Sequence, residues 1–324
     1  MTCCHIVRVV KEWVAALLLG ADSSEGERSS MRLAARQLAA RQSVSSRRLR
    51  RSDLARRLGD ARSRRPSAQR REFCYGSREF RAASDLARRL PYSPPVLTLI
   101  GSVLRDPALI RALIAVWRLP VVDLRLPRAD ANVWSEASPV GRMISGARRA
   151  QAVLELPTVE EHYLTGRSKQ ALRTNLRHAR ELGVTSDRIP TYEAWFEAAS
   201  VILDARPDGL DMAQHIEKPE SGQHVAYYVA RDADEMPLAF ARVALLGQFA
   251  ALFTLLSHQD RRPGTSWARY QLHTFLALDL GRSGIKHLVV GSALRETTGV
   301  QYFQHLLGYR VCNLRLKVTE PGST

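Results

Sequence analysis

The chain contains few cysteines. Only four occur in 324 residues, namely Cys3, Cys4, Cys74 and Cys312. None of them forms a Cys-x-x-Cys pair, and none joins histidines at the spacing of a zinc site. This scarcity argues against a disulfide-stapled secreted domain and against a structural metal. We therefore expect a metal-free protein of the reducing cytoplasm.

The chain also lacks long apolar runs. No segment approaches the roughly 18–20 consecutive apolar residues that a membrane-spanning helix requires, so no span is predicted. A short apolar stretch at Trp13–Leu19 follows a basic start and resembles the core of a signal peptide. Because Glu12 adjoins this stretch and no secretory sequence comes after it, a cytoplasmic location is favoured over secretion.

Acidic residues are scarce in the first third of the chain. Residues 1–100 hold 21 Lys and Arg against 9 Asp and Glu, so most of the net charge of +16 lies there. From Asp22 to Arg89, Arg, Ser and Ala dominate, and such a composition buries too little apolar surface to offset the entropy of ordering. We predict a basic, largely disordered extension over residues 1–90. The alternatives are an arm that binds nucleic acid or an anionic membrane, and a stretch foreign to the native product.

The remaining two thirds of the chain have the pattern of a folded protein. Pro91–Pro95 is typical of a linker, and apolar residues at helical spacing predict a helix over 107–118. Short apolar runs predict strands at Val121–Leu126 and Val153–Leu156, with a polar irregular segment between them. We interpret residues 91–157 as a small α/β segment.

A basic helix is predicted from Ser168 to Gly183. Its apolar residues repeat at helical spacing, and Gly183 suits the position that ends a helix. Its basic residues recur at steps of three and four, which places them on one face. They are Lys169, Arg173, Arg177 and Arg180. A solvated surface is one interpretation, and contact of Arg173 and Arg177 with a phosphorylated or acidic substrate is the other.

The second half of the chain predicts a mixed sheet. Three β-rich runs with turn residues between them predict an antiparallel meander at 224–230, 238–246 and 249–257. A loop then enters a helix ending near Leu280, and the continuously apolar Ile285–Val290 is typical of a central strand. A helix to Leu307 and a strand over 309–318 complete the pattern. The predicted fold class is α/β, with a mixed central sheet flanked by helices in the order β-β-β-α-β-α-β.

This order resembles the GNAT superfamily of N-acyltransferases. The loop after the meander carries Arg261-x-x-Gly264-x-Ser266, which is similar to the superfamily's pyrophosphate loop with serine as the last small residue. The sequence Leu307-Gly308-Tyr309 is similar to its Leu-Gly-Phe/Tyr signature. The basic helix and Gly299–Gln304 resemble the Fem-like branch, which includes peptidoglycan aminoacyltransferases and CelD-like acyltransferases.

The resemblance implies a GNAT-like acyltransferase domain over residues 158–320, with 91–157 as the remnant of a tandem first half. It implies transfer of an acyl group from acyl-CoA, such as acetyl-CoA, to the amine of a small molecule or a peptidoglycan-type acceptor. An aminoacyl-tRNA is the alternative donor. The resemblance implies no metal.

The resemblance also implies a donor site. Backbone N–H groups at a helix N-terminus form an anion site, and neighbouring arginines would add charge-assisted hydrogen bonds to a pyrophosphate. A splayed pair of strands, 249–257 beside 285–291, would hold the pantetheine chain, and a backbone N–H near Thr254–Ser257 would stabilise the oxyanion. The residues expected to bind the donor are Leu255, Ser257, Arg261, Arg262, Gly264, Thr265 and Ser266.

The catalytic residues are indicated less directly. Many GNAT proteins use a tyrosine four residues before the glycine of the Leu-Gly-Phe signature as a general acid, and Gln304 occupies that position here. Ser292 and Glu296 come after a strand end and are candidates for the general base. Tyr302 lies nearby and is the third catalytic candidate. Because glutamine donates protons poorly, a degenerate ligand-binding module is the second hypothesis, and a tRNA- or nucleic-acid-binding protein is the third.

Overall fold

Eight strands form one sheet in the computed structural model, which describes residues 75–89, 112, 115–116, 118–134, 148–206, 216–259 and 263–319. Across the sheet their order is β1-β8-β2-β7-β6-β5-β4-β3. The strands are β1 (Val121–Pro127), β2 (Arg148–Glu155), β3 (Thr185–Ile189), β4 (Val225–Arg231), β5 (Pro237–Leu246), β6 (Phe249–Ser257), β7 (His287–Ser292) and β8 (Arg310–Thr319).

The helices of the described residues flank this sheet. They are α1 (Arg78–Arg89), α2 (Arg128–Val133), α3 (Glu160–Leu164), α4 (Gln170–Glu181), α5 (Tyr192–Asp204), α6 (Thr265–Arg282) and α7 (Thr298–Leu307), with a 3-10 turn at Arg167–Lys169. No helix in this part of the chain is long and apolar enough to cross a membrane.

The predicted fold class is confirmed. Strands β3 to β6 form an antiparallel meander, β6 and β7 are parallel, and β2 runs antiparallel to both β7 and β8. Strand β6 has the predicted bounds, and the other strands of the second half lie within a few residues of theirs. This agreement arises from turn residues and apolar periodicity, which are local signals.

Strand β2 comes from the segment predicted to precede the main domain, yet it lies between β7 and β8. Strand β1 pairs in parallel with β8 at the edge of the sheet. The described residues all fall in one compact unit, Phe73–Pro91 with Val103–Thr324. The other unit, Met1–Glu72 with Tyr92–Ser102, lies outside the described residues. The domain boundaries at 91 and 158 stay predictions.

The sequence predicts disorder over residues 1–90, but residues 78–89 form helix α1. The N–H of Phe80 donates to Ser77 Oγ at 3.1 Å, which caps the helix start. Phe80 and Ala83 are buried against the rest of the unit, so tertiary packing overrides the arginine-rich composition. The remainder of the predicted extension, the Pro91–Pro95 linker and most of the predicted helix 107–118 lie outside the described residues.

Helices α5 and α6 cover opposite faces of the meander. The Tyr227 ring lies 5.0 Å from the ring of Trp195 on α5, whereas the Tyr228 hydroxyl donates to Asp279 of α6 at 2.8 Å. Because successive side chains of a strand point to opposite faces, these adjacent tyrosines contact different layers. Trp195 is fully buried, and its indole N–H donates to the carbonyl of Ala241 at 3.1 Å.

Candidate active site

Strands β6 and β7 separate soon after they begin. Their parallel ladder joins only Phe249–Ala251 to His287–Val289, whereas β6 continues along β5 to Ser257. On the β5 side, Arg242 is opposite Thr254 and Val243 is opposite Leu252, so Phe253 is an extra residue in the ladder. Such a bulge bends its strand and increases the local twist. It therefore accounts for an opening between two parallel strands.

A cavity of about 270 Å³ occupies this opening. Side chains from β6, β7, α6 and α7 and from the loop before α7 surround it, so the opening is closed by helices on one side of the sheet. Its lining residues are Leu252, Phe253, Thr254, Leu255, Leu256, Arg269, His273, Val290, Glu296, Val300, Phe303, Gln304 and Tyr309. Apolar groups dominate, with a few polar atoms among them, which is the usual composition of a small-molecule site.

A neutral His–Tyr pair forms part of the cavity wall. His273 Nε2 lies 2.8 Å from the Tyr309 hydroxyl oxygen. Burial lowers the pKa of His273 to about 3, with a smaller contribution from the Lys169 charge, and burial raises the pKa of Tyr309. Both groups are therefore uncharged near neutral pH. The pair contributes hydrogen-bonding groups to the wall and is poorly suited to exchange protons.

The Gln304 side chain connects the cavity to the N-terminal segment. The Tyr75 hydroxyl donates to Gln304 Oε1 at 2.9 Å, and burial raises the pKa of Tyr75, which keeps the phenol protonated. Gln304 is only 2% exposed, yet its Nε2 has no hydrogen-bond partner among the described residues. Thr254 Oγ1, on β6, is likewise buried without a partner in this part of the chain.

Glu296 stands in the loop between β7 and α7, at the carboxyl end of β7. Its side chain is half-buried and lines the cavity. Burial raises the pKa of Glu296 above that of an ordinary glutamate. A carboxylate with a raised pKa is a stronger base than an exposed one, so this position suits proton abstraction.

Helix α1 holds the loop that carries Glu296. Arg88 Nη1 donates to the Glu296 carbonyl at 3.0 Å. The buried Ser84 hydroxyl donates to the Leu294 carbonyl at 2.6 Å and accepts from Gln301 Nε2 at 2.8 Å. Helix α1 therefore holds the loop between β7 and α7 at two points, Leu294 and Glu296.

The other two predicted catalytic residues do not line the cavity. Ser292 is the last residue of β7, is half-buried and lies opposite Gln151 of β2. Tyr302 is 58% exposed on the outer side of α7. Residues 302 and 304 differ because a helix turns by about 100° per residue, which directs Gln304 inward and Tyr302 outward.

The predicted pyrophosphate loop leads into α6 through Gly264. This glycine has φ +88°, and a Cβ atom there would lie 2.9 Å from Val184 Cγ2 and 3.2 Å from Leu238 Cδ1. Only glycine combines this backbone conformation with such close packing. Ser266 is exposed at the helix start, whereas Thr265 is buried. Arg261 and Arg262 lie outside the described residues.

The two predicted pantetheine contacts differ in their surroundings. Leu255 lines the cavity. Ser257 ends β6 opposite Ala239, and its carbonyl accepts from Arg206 Nη1 at 2.9 Å. The structure therefore brings Leu255 and Glu296 to one cavity and leaves Ser257 beyond its lining.

The basic face of α4 contacts the protein itself. Lys169 Nζ donates to the Leu307 carbonyl at 2.7 Å, and burial lowers its pKa to about 8. Arg173 Nη1 donates to the carbonyls of Leu164 and Gly166 at 2.6 and 2.9 Å. The remaining two arginines form ion pairs, Arg177 with Glu181 and Arg180 with Glu160. These intramolecular contacts favour the first interpretation of this basic face, a surface without a substrate, over contact with an anionic substrate.

Several residues of the cavity were not predicted from the sequence. They are Arg269, His273, Tyr309 and the side chain of Thr254, together with Tyr75, which contacts Gln304 from outside the lining. One local signal exists for His273, because it is a polar residue on the otherwise apolar inner face of α6. Tyr75 carries no such signal, since its contact with Gln304 spans 229 positions of sequence. Among the described residues, no group of three or more His, Cys, Asp and Glu side chains could hold a metal ion.

Comparison with known proteins finds similarity only at the level of structure. No protein-family model and no curated protein matches the sequence. The structure of L-PGS from Bacillus licheniformis is 11% identical, with a TM-score of 0.36 over 51% of this chain and 58% of that chain. FemX is 8% identical, with a TM-score of 0.39 over 56% and 63%. A GCN5-related N-acetyltransferase from Kribbella flavida is 14% identical, with a TM-score of 0.29 over 55% and 61%.

The solved structures similar to this chain thus include GNAT-type proteins, in line with the predicted resemblance. The chain spans less than two thirds of the length of the first of them. Identities this low describe a fold and not a function, and TM-scores below 0.5 add no support of their own. The fold assignment therefore rests on the strand order and on the separation of β6 from β7.

Proposed function

We propose that the protein is an N-acyltransferase, which transfers an acyl group from acyl-CoA to an amine acceptor. The observation that carries the proposal is the cavity at the separation of β6 and β7, bounded by the bulge at Phe253. Beyond Ala251, one edge of β6 has no ladder with β7. Such an edge can hydrogen-bond an extended amide-containing chain in the way a neighbouring strand would.

The start of α6 supports the donor assignment. Helix N-termini attract phosphate through their N–H groups and through the helix dipole. Gly264 allows the chain to turn tightly into this helix, and Ser266 is exposed at its first turn. A pyrophosphate at Gly264–Ser266 would direct the rest of a CoA molecule along β6. Arg261 and Arg262 are proposed to add charge at this end.

The proposed chemistry depends on the groups around the cavity. The amine nitrogen attacks the thioester carbonyl carbon, the C–N bond forms and the C–S bond breaks. One proton leaves the amine nitrogen, and one proton is taken up by the CoA sulfur. Glu296 is proposed as the base, because its half-buried carboxylate has a raised pKa and lines the cavity. A backbone N–H of β6 near Thr254 is proposed to stabilise the oxyanion.

One observation favours a second candidate, a ligand-binding module without catalysis. Gln304 occupies the place where many GNAT proteins carry an acidic tyrosine, and an amide does not supply a proton. Tyr309, the tyrosine of the cavity lining, is buried, and burial raises its pKa. Under this alternative the protein would bind CoA derivatives and release them unchanged. An aminoacyl-tRNA donor is the further alternative.

Titration with CoA and acetyl-CoA in a calorimeter tests the donor site. The informative variant is Ser266→Asp, which places a negative charge where the pyrophosphate is proposed to bind. An acidic residue in the first turn favours the helix itself by about 0.3–1 kcal/mol, so the fold should not weaken. The control is Gln170→Asp, which adds the same charge to the exposed start of α4.

We expect Ser266→Asp to weaken CoA binding by tenfold or more and Gln170→Asp to leave it unchanged. Equal affinities of the two variants for CoA would refute the proposed pyrophosphate site. Thiol release from acetyl-CoA over a panel of amines then separates the two candidates. Turnover that depends on Glu296 supports the transferase, whereas CoA binding without thiol release on any amine, or binding to tRNA alone, refutes it in favour of the alternatives.

A further inference from the structure

The amide of Gln304 has a fixed orientation. Its Oε1 accepts the Tyr75 hydroxyl at 2.9 Å, and Tyr75 does not line the cavity, whereas Gln304 does. The amide nitrogen is consequently the group left for the cavity. It is buried and has no hydrogen-bond partner among the described residues.

A buried donor without a partner is unfavourable. Leaving such a group unsatisfied costs about 1–3 kcal/mol, and buried polar side chains in folded proteins generally have partners. Three residues of this cavity carry such unpaired atoms, Gln304 Nε2 on α7, Thr254 Oγ1 on β6 and His273 Nδ1 on α6. A ligand with an acceptor oxygen beside Gln304 would satisfy the amide.

We propose that Gln304 is a catalytic hydrogen-bond donor to the carbonyl oxygen of the acyl donor, and that Tyr75 is a positioning residue that sets its amide orientation. This inference rests on the proposed acyltransferase function. In this role Gln304 stabilises charge and transfers no proton, unlike the tyrosine that many GNAT proteins use as a general acid at this position.

The proposal agrees with the chemistry of acyl transfer. When the amine attacks, the carbonyl oxygen gains negative charge, and a donor already pointed at it stabilises the transition state. No bond to Gln304 forms or breaks. The proton that the sulfur takes up when the C–S bond breaks comes from the amine, either directly or by way of Glu296. Gln304 therefore needs only to donate a hydrogen bond, and its amide N–H does this as well as a tyrosine O–H would.

Tyr75 has a specific part in this arrangement. A glutamine amide can turn by 180° and present its oxygen instead of its nitrogen, and an oxygen facing the acyl carbonyl would repel it. The Tyr75 phenol donates its only proton to Gln304 Oε1. A turned amide would deprive that proton of its acceptor, so the phenol favours the orientation with Oε1 toward itself. Phe80 is buried and its ring lies 5.2 Å from that of Tyr75, which holds the phenol in place.

The test compares the affinities of the full chain for CoA and acetyl-CoA, because only acetyl-CoA carries the thioester carbonyl oxygen. We expect Gln304→Met to weaken acetyl-CoA binding by about threefold to tenfold and to leave CoA binding unchanged. Gln304→Glu keeps the side-chain shape and the bond from Tyr75 but replaces the N–H group with an acceptor, so the same selective loss is expected. Two variants guard against a failure of one to fold.

Tyr75→Phe should also weaken acetyl-CoA binding selectively, because the amide loses its fixed orientation. In the double variant Tyr75→Phe with Gln304→Met, the loss should equal that of Gln304→Met alone, since both act through one hydrogen bond. Additive losses would refute the positioning role of Tyr75. Equal losses for CoA and acetyl-CoA in Gln304→Met and Gln304→Glu would make Gln304 a structural residue while leaving the proposed function intact. If the wild-type protein binds neither molecule, the proposed function fails and the inference fails with it.

Discussion

Replacing Gly264 with alanine tests the structure at the point where the fold and the proposed donor site meet. Gly264 has φ +88°, a conformation that costs a residue with a Cβ atom about 1–2 kcal/mol. The new Cβ would also lie 2.9 Å from Val184 Cγ2 and 3.2 Å from Leu238 Cδ1. Forcing a methyl group into packed surroundings adds about 1–3 kcal/mol. The expected loss in the free energy of unfolding is therefore about 2–5 kcal/mol.

Two other glycines separate these contributions. Gly284 has nearly the same backbone angle, φ +87°, but a Cβ there would meet nothing within 4 Å. Gly284→Ala should cost only about 1–2 kcal/mol, the conformational part. Gly299 lies at the start of α7, with ordinary φ and nothing within 4 Å. Gly299→Ala should be neutral or stabilising by up to about 1 kcal/mol, since alanine favours helices.

Urea unfolding followed by circular dichroism would give the three free energies, with the slope of each transition as a check on two-state behaviour. Calorimetric titration with CoA then reports the functional consequence. We expect Gly264→Ala to weaken CoA binding and Gly284→Ala to leave it unchanged. If Gly264→Ala destabilises the protein no more than Gly284→Ala does, the close packing around Gly264 is refuted. If Gly264→Ala binds CoA normally, this turn does not shape the donor site.

Three further predictions concern stability. Burial raises the pKa of Glu296 above 4.5, so the protonated carboxyl favours the folded state below pH 4.5, and this contribution to stability is lost as the pH rises through the folded pKa. In melting curves between pH 4 and 8, Glu296→Gln should therefore gain stability relative to the wild type as the pH increases. A stability difference that stays constant over this pH range would contradict the burial effect. Ser84→Ala removes the bond from Gln301 and one to a loop carbonyl, so urea unfolding should show a loss of about 1–3 kcal/mol, and no loss would mean that α1 does not hold the loop. Gly281→Ala would place a methyl group against the Pro157 carbonyl oxygen, a backbone atom with little freedom to move. We expect the free energy of unfolding to fall by about 3 kcal/mol or more, and an unchanged value would refute this close contact.

The second half of the chain could be predicted because its signals are local. Strand β6 is a mainly apolar run between Gly247 and the loop of Gly264, and it forms as expected. The end of α7 is set by Gly308, whose φ of +91° suits glycine alone. Glu296 was predicted as a candidate base from its position after a strand, because the carboxyl ends of strands in α/β sheets place side chains at clefts, and its side chain lines the cavity.

Contacts between distant parts of the chain could not be predicted in this way. Helix α1 has the composition of a disordered segment, and it forms where Phe80 and Ser84 meet the rest of the unit. Strand β2 lies in the sheet between β7 and β8, although its own residues do not predict which strands it pairs with. The basic face of the helix at 168–183 left a solvated surface and an anionic substrate as alternatives, and its sequence did not show that Lys169 and Arg173 bond to backbone carbonyls.

The sequence by itself determined the elements from β4 onward, their order and the glycines at their ends, because helix and strand formation depend on residues a few positions apart. Only the tertiary structure decided which groups share the cavity. It turned Gln304 inward and Tyr302 outward, and it placed Tyr75 beside Gln304. The physical reason is that burial and hydrogen bonding are properties of atoms brought together across the chain, and the desolvation that raises the pKa of Glu296 and lowers that of His273 exists only once they are packed.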